Sequence, residues 1–511
     1  MPATTMLPFR VVPRSTTAPD SASNASAGLW MLLPFIPALI LRFVLPLDFP
    51  VFATDETFFN QSAKMQVLEG NPLLYQFGQL FLTPGHHFLT VALYSLFGPS
   101  LSLSRTMVAL FGAGVVLFVY LWGRRLGGVR IGFTAALLSA YNALLVYSSR
   151  LATLEPEVMF YMLGAAYFWF HENPRRVPLS GLFLGAALLV KAYSLLLIPV
   201  LLAGSLFALH QPRGAAPPWM KRLRPEQWIS LGLGLGMTLA GYYMISILDR
   251  AQFMAIWEEH SWGRTDRRHL LHFTRAFWRH FPDLMLLSAA GVVLACKRRP
   301  AGWRFLLAWL ILGLGLLSLQ IYRPTRYYLQ FIPLLALFAA YALQAWPPKW
   351  DWRRVFVPAV LVLMCLHQLW RFYPYYLDGR KHNGALIQTV QRVDDQMGPV
   401  EAVITTIDDA ILFRHPAIPI NCVWHAKSRN RLFYPREADW LPRTRFMVLK
   451  SENLQCGKSL ELMDFMRSER FLPQEQRGNV LVFVRGASDT MADNRLPTQT
   501  ARAVLPYNPL E

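Results

Sequence analysis

Charged side chains are scarce in this chain. They make up 16% of its 511 residues, where a soluble domain carries about a quarter. Cysteine is scarcer still: the four present are too few for a disulfide scaffold. Also missing are a Walker loop, the glycine fingerprint of a dinucleotide fold, internal repeats and any His/Cys cluster at zinc spacing. These gaps argue against direct use of a nucleotide.

Apolar residues are what the chain has, at 54% hydrophobic. Several windows approach or exceed the roughly 18 apolar residues of a membrane span, which predicts a polytopic α-helical membrane protein. The net charge of +19 sits mostly in short Lys/Arg clusters between apolar segments. That is the positive-inside pattern, which sets topology and suits anionic headgroups, and it calls for membrane lipids and no nucleic acid as partners.

Residues 1–28, rich in Ser, Thr, Ala and Pro, read as a disordered cytoplasmic lead-in. The first apolar segment, Leu29–Leu47, is too long for a signal-peptide core and reads as an uncleaved span. A transmembrane module is expected over 29–374, with about eleven spans and two external loops, 48–100 and 249–282. Within the first loop, Phe88–Phe97 reads as a short interfacial or re-entrant helix. Further spans are placed at Leu101–Trp122, Ile131–Tyr147, Val158–Phe170, Trp228–Leu248, Leu284–Cys296, Phe305–Ile321, Tyr327–Ala345 and Val355–Leu369. Leu179–Leu209 is overlong for one crossing, and one crossing would invert every later basic cluster. A break near Lys191 puts all of them on one side, and broken helices at membrane depth are tolerated where they line a cavity.

Residues 375–490 change character. Ala402–Thr406, Phe446–Lys450 and Val480–Arg485 read as strands, Ala385–Gln396 and Leu460–Ser468 as amphipathic helices. That predicts an extracytoplasmic α/β domain, followed by a polar tail over 491–511. Cys296 and Cys365 fall in apolar segments, while Cys422 and Cys456 fall in the external domain, where an oxidising side would allow a disulfide.

The topology gathers Asp55, Glu56, Arg150, Glu155, Glu157, Lys191, Arg323 and Arg326 on the external face. Ionisable groups beside hydrocarbon are expensive and point to function, although snorkelling helix ends account for such residues singly. His86 and His87, in Thr83-Pro84-Gly85-His86-His87, suit an acceptor or metal contact or a structural loop, and since tandem neighbours seldom share one face the loop is favoured. Metal binding by His260, His269 and His272 lacks a matching pair of acids, and no metal or other cofactor is expected.

At these residues the chain resembles the GT-C glycosyltransferases of the dolichyl-phosphate-mannose protein mannosyltransferase type, which include the bacterial enzymes that add aminoarabinose to lipid A. The resemblance covers roughly residues 29–345. It is carried by Asp55-Glu56, Leu68-Glu69-Gly70-Asn71-Pro72, Leu96-Phe97-Gly98, Arg150-Leu151-Ala152-Thr153-Leu154-Glu155, Gly185–Lys191 and Arg326–Leu334. Many relatives have Pro-Pro-Leu where this chain has Thr83-Pro84-Gly85. The resemblance implies a polyprenyl-phosphate sugar donor, a glycan, lipid or protein acceptor, and an inverting single displacement. Asp55 matches the expected general base, and Glu155 takes the place of a second acid that is usually Asp, with Glu157 as a rival and Glu56 as an orienting group. Lys191 and Arg326, with Arg323 and Arg150, are placed to hold the leaving phosphate. A lipid-linked saccharide flippase without chemistry is the alternative from another class.

Overall fold

A computed structural model describes residues 36–44, 50, 54–73, 79–209, 224–259, 277–300, 302–318, 325–345, 353–398, 400–405, 410–419, 441–450, 459–477 and 480–486. The lead-in, the 491–511 tail, Arg323, His260, His269, His272, Cys422 and Cys456 lie outside them. Cys296 and Cys365 are free thiols.

The chain opens with α1 (36–43), α2 (Thr54–Glu69), α3 (Pro84–Phe97) and α4 (Leu101–Gly127). Next come α5 (Val129–Tyr141), α6 (Ala143–Ser149), α7 (Glu155–Trp169), α8 (Pro178–Val190) and α9 (Leu197–Leu209). Then follow α10 (Pro225–Leu248), α11 (Arg250–Glu259), α12 (Pro282–Arg298), α13 (Trp303–Ser318), α14 (Ile332–Ala345) and α15 (Arg353–Gln396). Pro84, Pro178, Pro225 and Pro282 open their helices at the position where a missing N–H does no harm. Gly98 and Gly128 close theirs with φ of 83° and 95°, a conformation that glycine alone adopts freely.

Two expectations for the first loop change. It is helical over α2 as well as α3, and α3 begins at Pro84 rather than Phe88. Helix α2 escaped the sequence reading because Asn60, Gln61, Ser62 and Lys64 break up its apolar pattern, yet all four are buried.

The expected span Ile131–Tyr147 is bent by 63° between α5 and α6. Asn142 makes the bend, its side chain accepting from the Leu145 N–H at 3.0 Å, while Gln368 Oε1 accepts from the Ala143 N–H at 3.1 Å.

At Lys191 the backbone turns extended (φ −159°, ψ 121°) after α8, and a 3-10 turn over Ala192–Leu196 leads into α9. The chain reverses there. Ser180, at the start of α8, donates to Ala165 O of α7 at 2.8 Å, and Trp169, at the end of α7, donates to Ser205 near the end of α9 at 2.9 Å. The charge pattern had called for this break.

Among the described residues three helical segments are long and apolar enough to cross a membrane: Leu101–Gly127, Pro225–Leu248 and Val355–Pro374. A fourth counts if the bent pair is one span. Shorter apolar helices fill out the bundle at Ala192–Ser205, Trp303–Leu317 and Leu329–Ala345.

Helix α15 is continuous for 44 residues through Pro358 and Pro374. The boundary drawn at 374/375 therefore falls inside a helix, and Ala385–Gln396 is its last part rather than a separate element. Leu386, Val390, Val393 and Met397 form one stripe that packs on the C-terminal sheet.

That sheet comprises β1 (Ala402–Thr405), β2 (Ala417–Pro419), β3 (Thr444–Lys450), β4 (Phe471–Arg477) and β5 (Val480–Arg485), with α16 (Ser459–Ser468) before β4. The order is β2-β1-β3-β5-β4; β1 runs parallel to β2 and β3, and β5 antiparallel to β3 and β4. Strands β2 and β4 were not anticipated, β2 being three residues long and β4 mostly polar. Alternation along β1 covers both faces. Val403 meets the α15 stripe, with Leu101 and Ala152 of the bundle, whereas Ile404 meets Met466 of α16 and Met65 of α2. The domain thus shares its cores with the bundle.

Candidate active site

Four elements bring charge to one end of the bundle. Asp55 lies in the first turn of α2, Glu155 in the first turn of α7 and Lys191 at the break after α8. Arg326 lies in a 3-10 turn, Thr325–Phe331, before α14. Arg326 Nη1 pairs with Asp55 Oδ2, and its Nε lies 3.2 Å from Glu155 Oε1. Lys191 Nζ donates to the same Glu155 oxygen at 2.6 Å. The four form a chain of alternating charge with no net excess. The Lys191 ammonium also faces the rings of Tyr327 at 4.7 Å and Tyr193 at 5.3 Å, a favourable cation–π setting.

Exposure separates the two acids. The Asp55 side chain is 22% exposed and Glu155 1%, with Glu155 Oε2 buried and without a hydrogen-bond partner. Asp55 can meet a molecule arriving from outside, and Glu155 meets the two cations.

Glu56 turns away from this group into the bundle. It takes a two-pronged bond from Arg105, Nε to Oε1 at 2.8 Å and Nη2 to Oε2 at 2.7 Å, and accepts the Ala152 N–H at 2.8 Å. Both side chains are fully buried. Sequence reading missed Arg105, although a lone arginine inside an apolar helix is itself a signal that an acid must come to it.

Glu157 is likewise buried, bonded to His86 Nδ1 at 2.7 Å. Asn60 bridges the two layers, donating to Glu56 O and Ala152 O at 2.7 and 3.0 Å while its Oδ1 lies 3.4 Å from His86 Nε2. Arg150 is buried and donates to Leu41 O of α1 at 2.9 Å.

The paired histidines stand on α3, not in a loop, and neither is open to an acceptor. His87 binds Ser62 Oγ at 2.9 Å and Gln66 Oε1 at 2.7 Å, tying α3 to α2. Burial first, and the neighbouring His86 second, push its imidazole down to about 3. An unfolded chain takes up that proton near pH 6.5, so acidification from about 6.5 toward 3 favours unfolding. The melting temperature of the wild type should therefore fall more steeply between about pH 7 and pH 5 than that of His87→Gln. Equal slopes would refute the assignment.

Among the described residues no three His, Cys, Asp or Glu side chains gather as a metal site.

A helical bundle with carboxylates and cations at one end, joined to a small mixed-sheet domain, is the fold that this chain shares with ArnT, the GT-C fold. Residues 82–239 match the family of dolichyl-phosphate-mannose-protein mannosyltransferases. The undecaprenyl phosphate-alpha-4-amino-4-deoxy-L-arabinose arabinosyl transferase of Pseudomonas aeruginosa is 27% identical over 341 residues, 61% of this chain and 59% of that protein. The match thus spans less than two thirds of that relative. The crystal structure of ArnT from Cupriavidus metallidurans bound to undecaprenyl phosphate superposes with a TM-score of 0.66 at 15% identity, covering 90% of this chain and 99% of that one. The archaeal oligosaccharyltransferase AglB from Archaeoglobus fulgidus, in complex with an inhibitory peptide and a dolichol-phosphate, gives 0.52 at 13% identity over 92% and 75%.

Proposed function

We propose that this protein transfers a sugar from a polyprenyl-phosphate carrier to an acceptor outside the cytoplasm: lipid A, a lipid-linked glycan or a protein. The observation that carries the reading is the accessible Asp55 carboxylate at the end of a charge chain that includes Lys191 and Arg326. The arabinosyl transferase activity of the Pseudomonas relative and the lipid phosphates bound by ArnT and AglB support the donor class.

In this reading Asp55 takes the proton from the acceptor hydroxyl as its oxygen bonds to the anomeric carbon. The bond from that carbon to the phosphate oxygen breaks on the opposite side, and its electron pair leaves with the lipid phosphate. Lys191 and Arg326 face the charge that develops there, where preorganised donors act most strongly. We assign that charge to these two cations rather than to a metal. Glu155 holds both in place. Glu56 and Glu157, through Arg105 and His86, fix the helices that present the site, as Arg150 does through α1.

Eleven spans, with the site and the C-terminal domain on the periplasmic side of a bacterial inner membrane, remain the topology we favour. The reversal at Lys191 and the basic residues Arg124, Arg125, Arg175, Arg176 and Arg224 at the opposite helix ends support it.

The test is release of free polyprenyl phosphate by the purified protein in nanodiscs. A panel of polyprenyl-phosphate sugars is supplied, with membrane extract as acceptor source. Sugar-specific release is expected, and silence with every donor would turn the reading toward a flippase.

A further inference from the structure

Helix α2 carries Asp55 in its first turn and is gripped from two sides. Toward the bundle, Glu56 and Asn60 reach Arg105 and the Ala152 carbonyl. Toward the C-terminal domain run Gln61, Lys64, Met65 and Glu69, spaced so that they share one helix face. Gln61 Nε2 donates to Ala417 O at 2.9 Å, beside β1, and Arg443 Nη2 donates to Glu69 Oε1 at 2.8 Å. Between them Lys64 Nζ donates to Ala410 O at 2.9 Å.

Lys64 is the costly member of this row. Its side chain is fully buried, and lysine is almost never fully buried unless paired. A carbonyl is its hydrogen-bond acceptor. Among the described residues, the charged group that favours the ammonium is Asp394, which is itself bound by His415 and Arg414. His415 Nδ1 and the Arg414 N–H each bind the Asp394 carboxylate at 2.9 Å. Burial, opposed by Asp394, brings the amine down to about 7. A helix that needed only to pack on a sheet would carry an apolar side chain here, as Met65 shows one position later.

We propose that Lys64 is a positioning residue for Asp55: through it the C-terminal domain sets the rotation and depth of α2, and with them the place of the carboxylate against Arg326. The inference rests on the reading of Asp55 as the base. The lever is short, since nine residues of helix separate Lys64 from Asp55, about 14 Å. Lys191 and Arg326 belong to other elements, so a shift of α2 leaves their backbone in place and changes only the carboxylate that competes with phosphate for Arg326.

The test uses Lys64→Met, which keeps length and removes the donor, in the full chain in nanodiscs. Amide hydrogen exchange over residues 54–60 should quicken, kcat should fall ten- to a hundredfold, about what a misplacement near 1 Å causes, and affinity for undecaprenyl phosphate should not fall. Arg443→Met, which frees Glu69 at the far end of α2, should shift exchange and kcat the same way by less, and Arg443→Lys should restore both. Unchanged exchange at 54–60 in Lys64→Met and Arg443→Met overturns the proposal. So does an equal fall of kcat, lipid-phosphate affinity and melting temperature, which marks a domain that has simply come loose. If Lys64→Met does not fold, the Arg443 pair decides. If the wild type releases nothing from any donor, the transfer reading fails, and exchange over 54–60 still decides whether the domain positions α2.

Discussion

Replacing Asp55 by Asn should lower release of polyprenyl phosphate by about 100- to 10,000-fold, the usual contribution of a positioned general base. Undecaprenyl phosphate should still bind, and as tightly or more so. The substitution removes the carboxylate that now occupies Arg326, leaving the guanidinium to the phosphate. Loss of turnover together with loss of binding would mean that Asp55 holds the site together rather than acting in the reaction. Unaltered turnover would move the base to Glu155 or Glu157, against their burial. Binding is read by thermal shift with the lipid phosphate, turnover by its release from the sugar-linked form.

The second large effect concerns stability. Glu56→Gln leaves the Arg105 guanidinium buried without its counter-charge, and breaking such a pair costs about 3–5 kcal/mol. The variant should melt far below the wild type, or be recovered in low yield. Changing both partners to apolar residues of similar size, Glu56→Leu with Arg105→Met, should recover most of the loss, because two desolvation costs vanish with the pair. A double variant as unstable as the single one would show that the Ala152 N–H, which also depends on Glu56, matters more than the ion pair.

These two neighbours show how far the sequence could be read. Apolar runs and the placing of basic clusters were enough for a largely helical bundle, the reversal at Lys191 and the gathering of Asp55, Glu155, Lys191 and Arg326, and short apolar runs for three of the five strands. Each follows from local pattern or from a rule about sides of a bilayer. Adjacent carboxylates, however, look alike in a sequence. Position on α2 decides that Asp55 faces Arg326 while Glu56, one residue and about 100° further round the helix, faces Arg105. The helix itself was hidden, because its buried faces are polar and no apolar period marks them. The partners of Glu157, Lys64 and Asn60 come from distant segments, and no spacing within one chain segment foretells such contacts. The boundary between the transmembrane module and the C-terminal domain, placed at 374/375, was not legible either, because α15 runs unbroken across it and through Pro374.

One guanidinium, Arg326, lies between Asp55 and Glu155 while Lys191 leans on the same Glu155 oxygen. In the proposed reaction Asp55 is paired with Arg326 until the lipid phosphate arrives. A phosphate that draws Arg326 toward itself would release the carboxylate to meet the acceptor hydroxyl. In the proposed reaction this makes the order of encounter matter: the carrier arms the base, and an acceptor that enters first finds no base ready for its hydroxyl. Steady-state kinetics would then be compulsory-ordered with the carrier leading. Water, which is always present as a rival nucleophile, would face an unarmed site for as long as no carrier is bound.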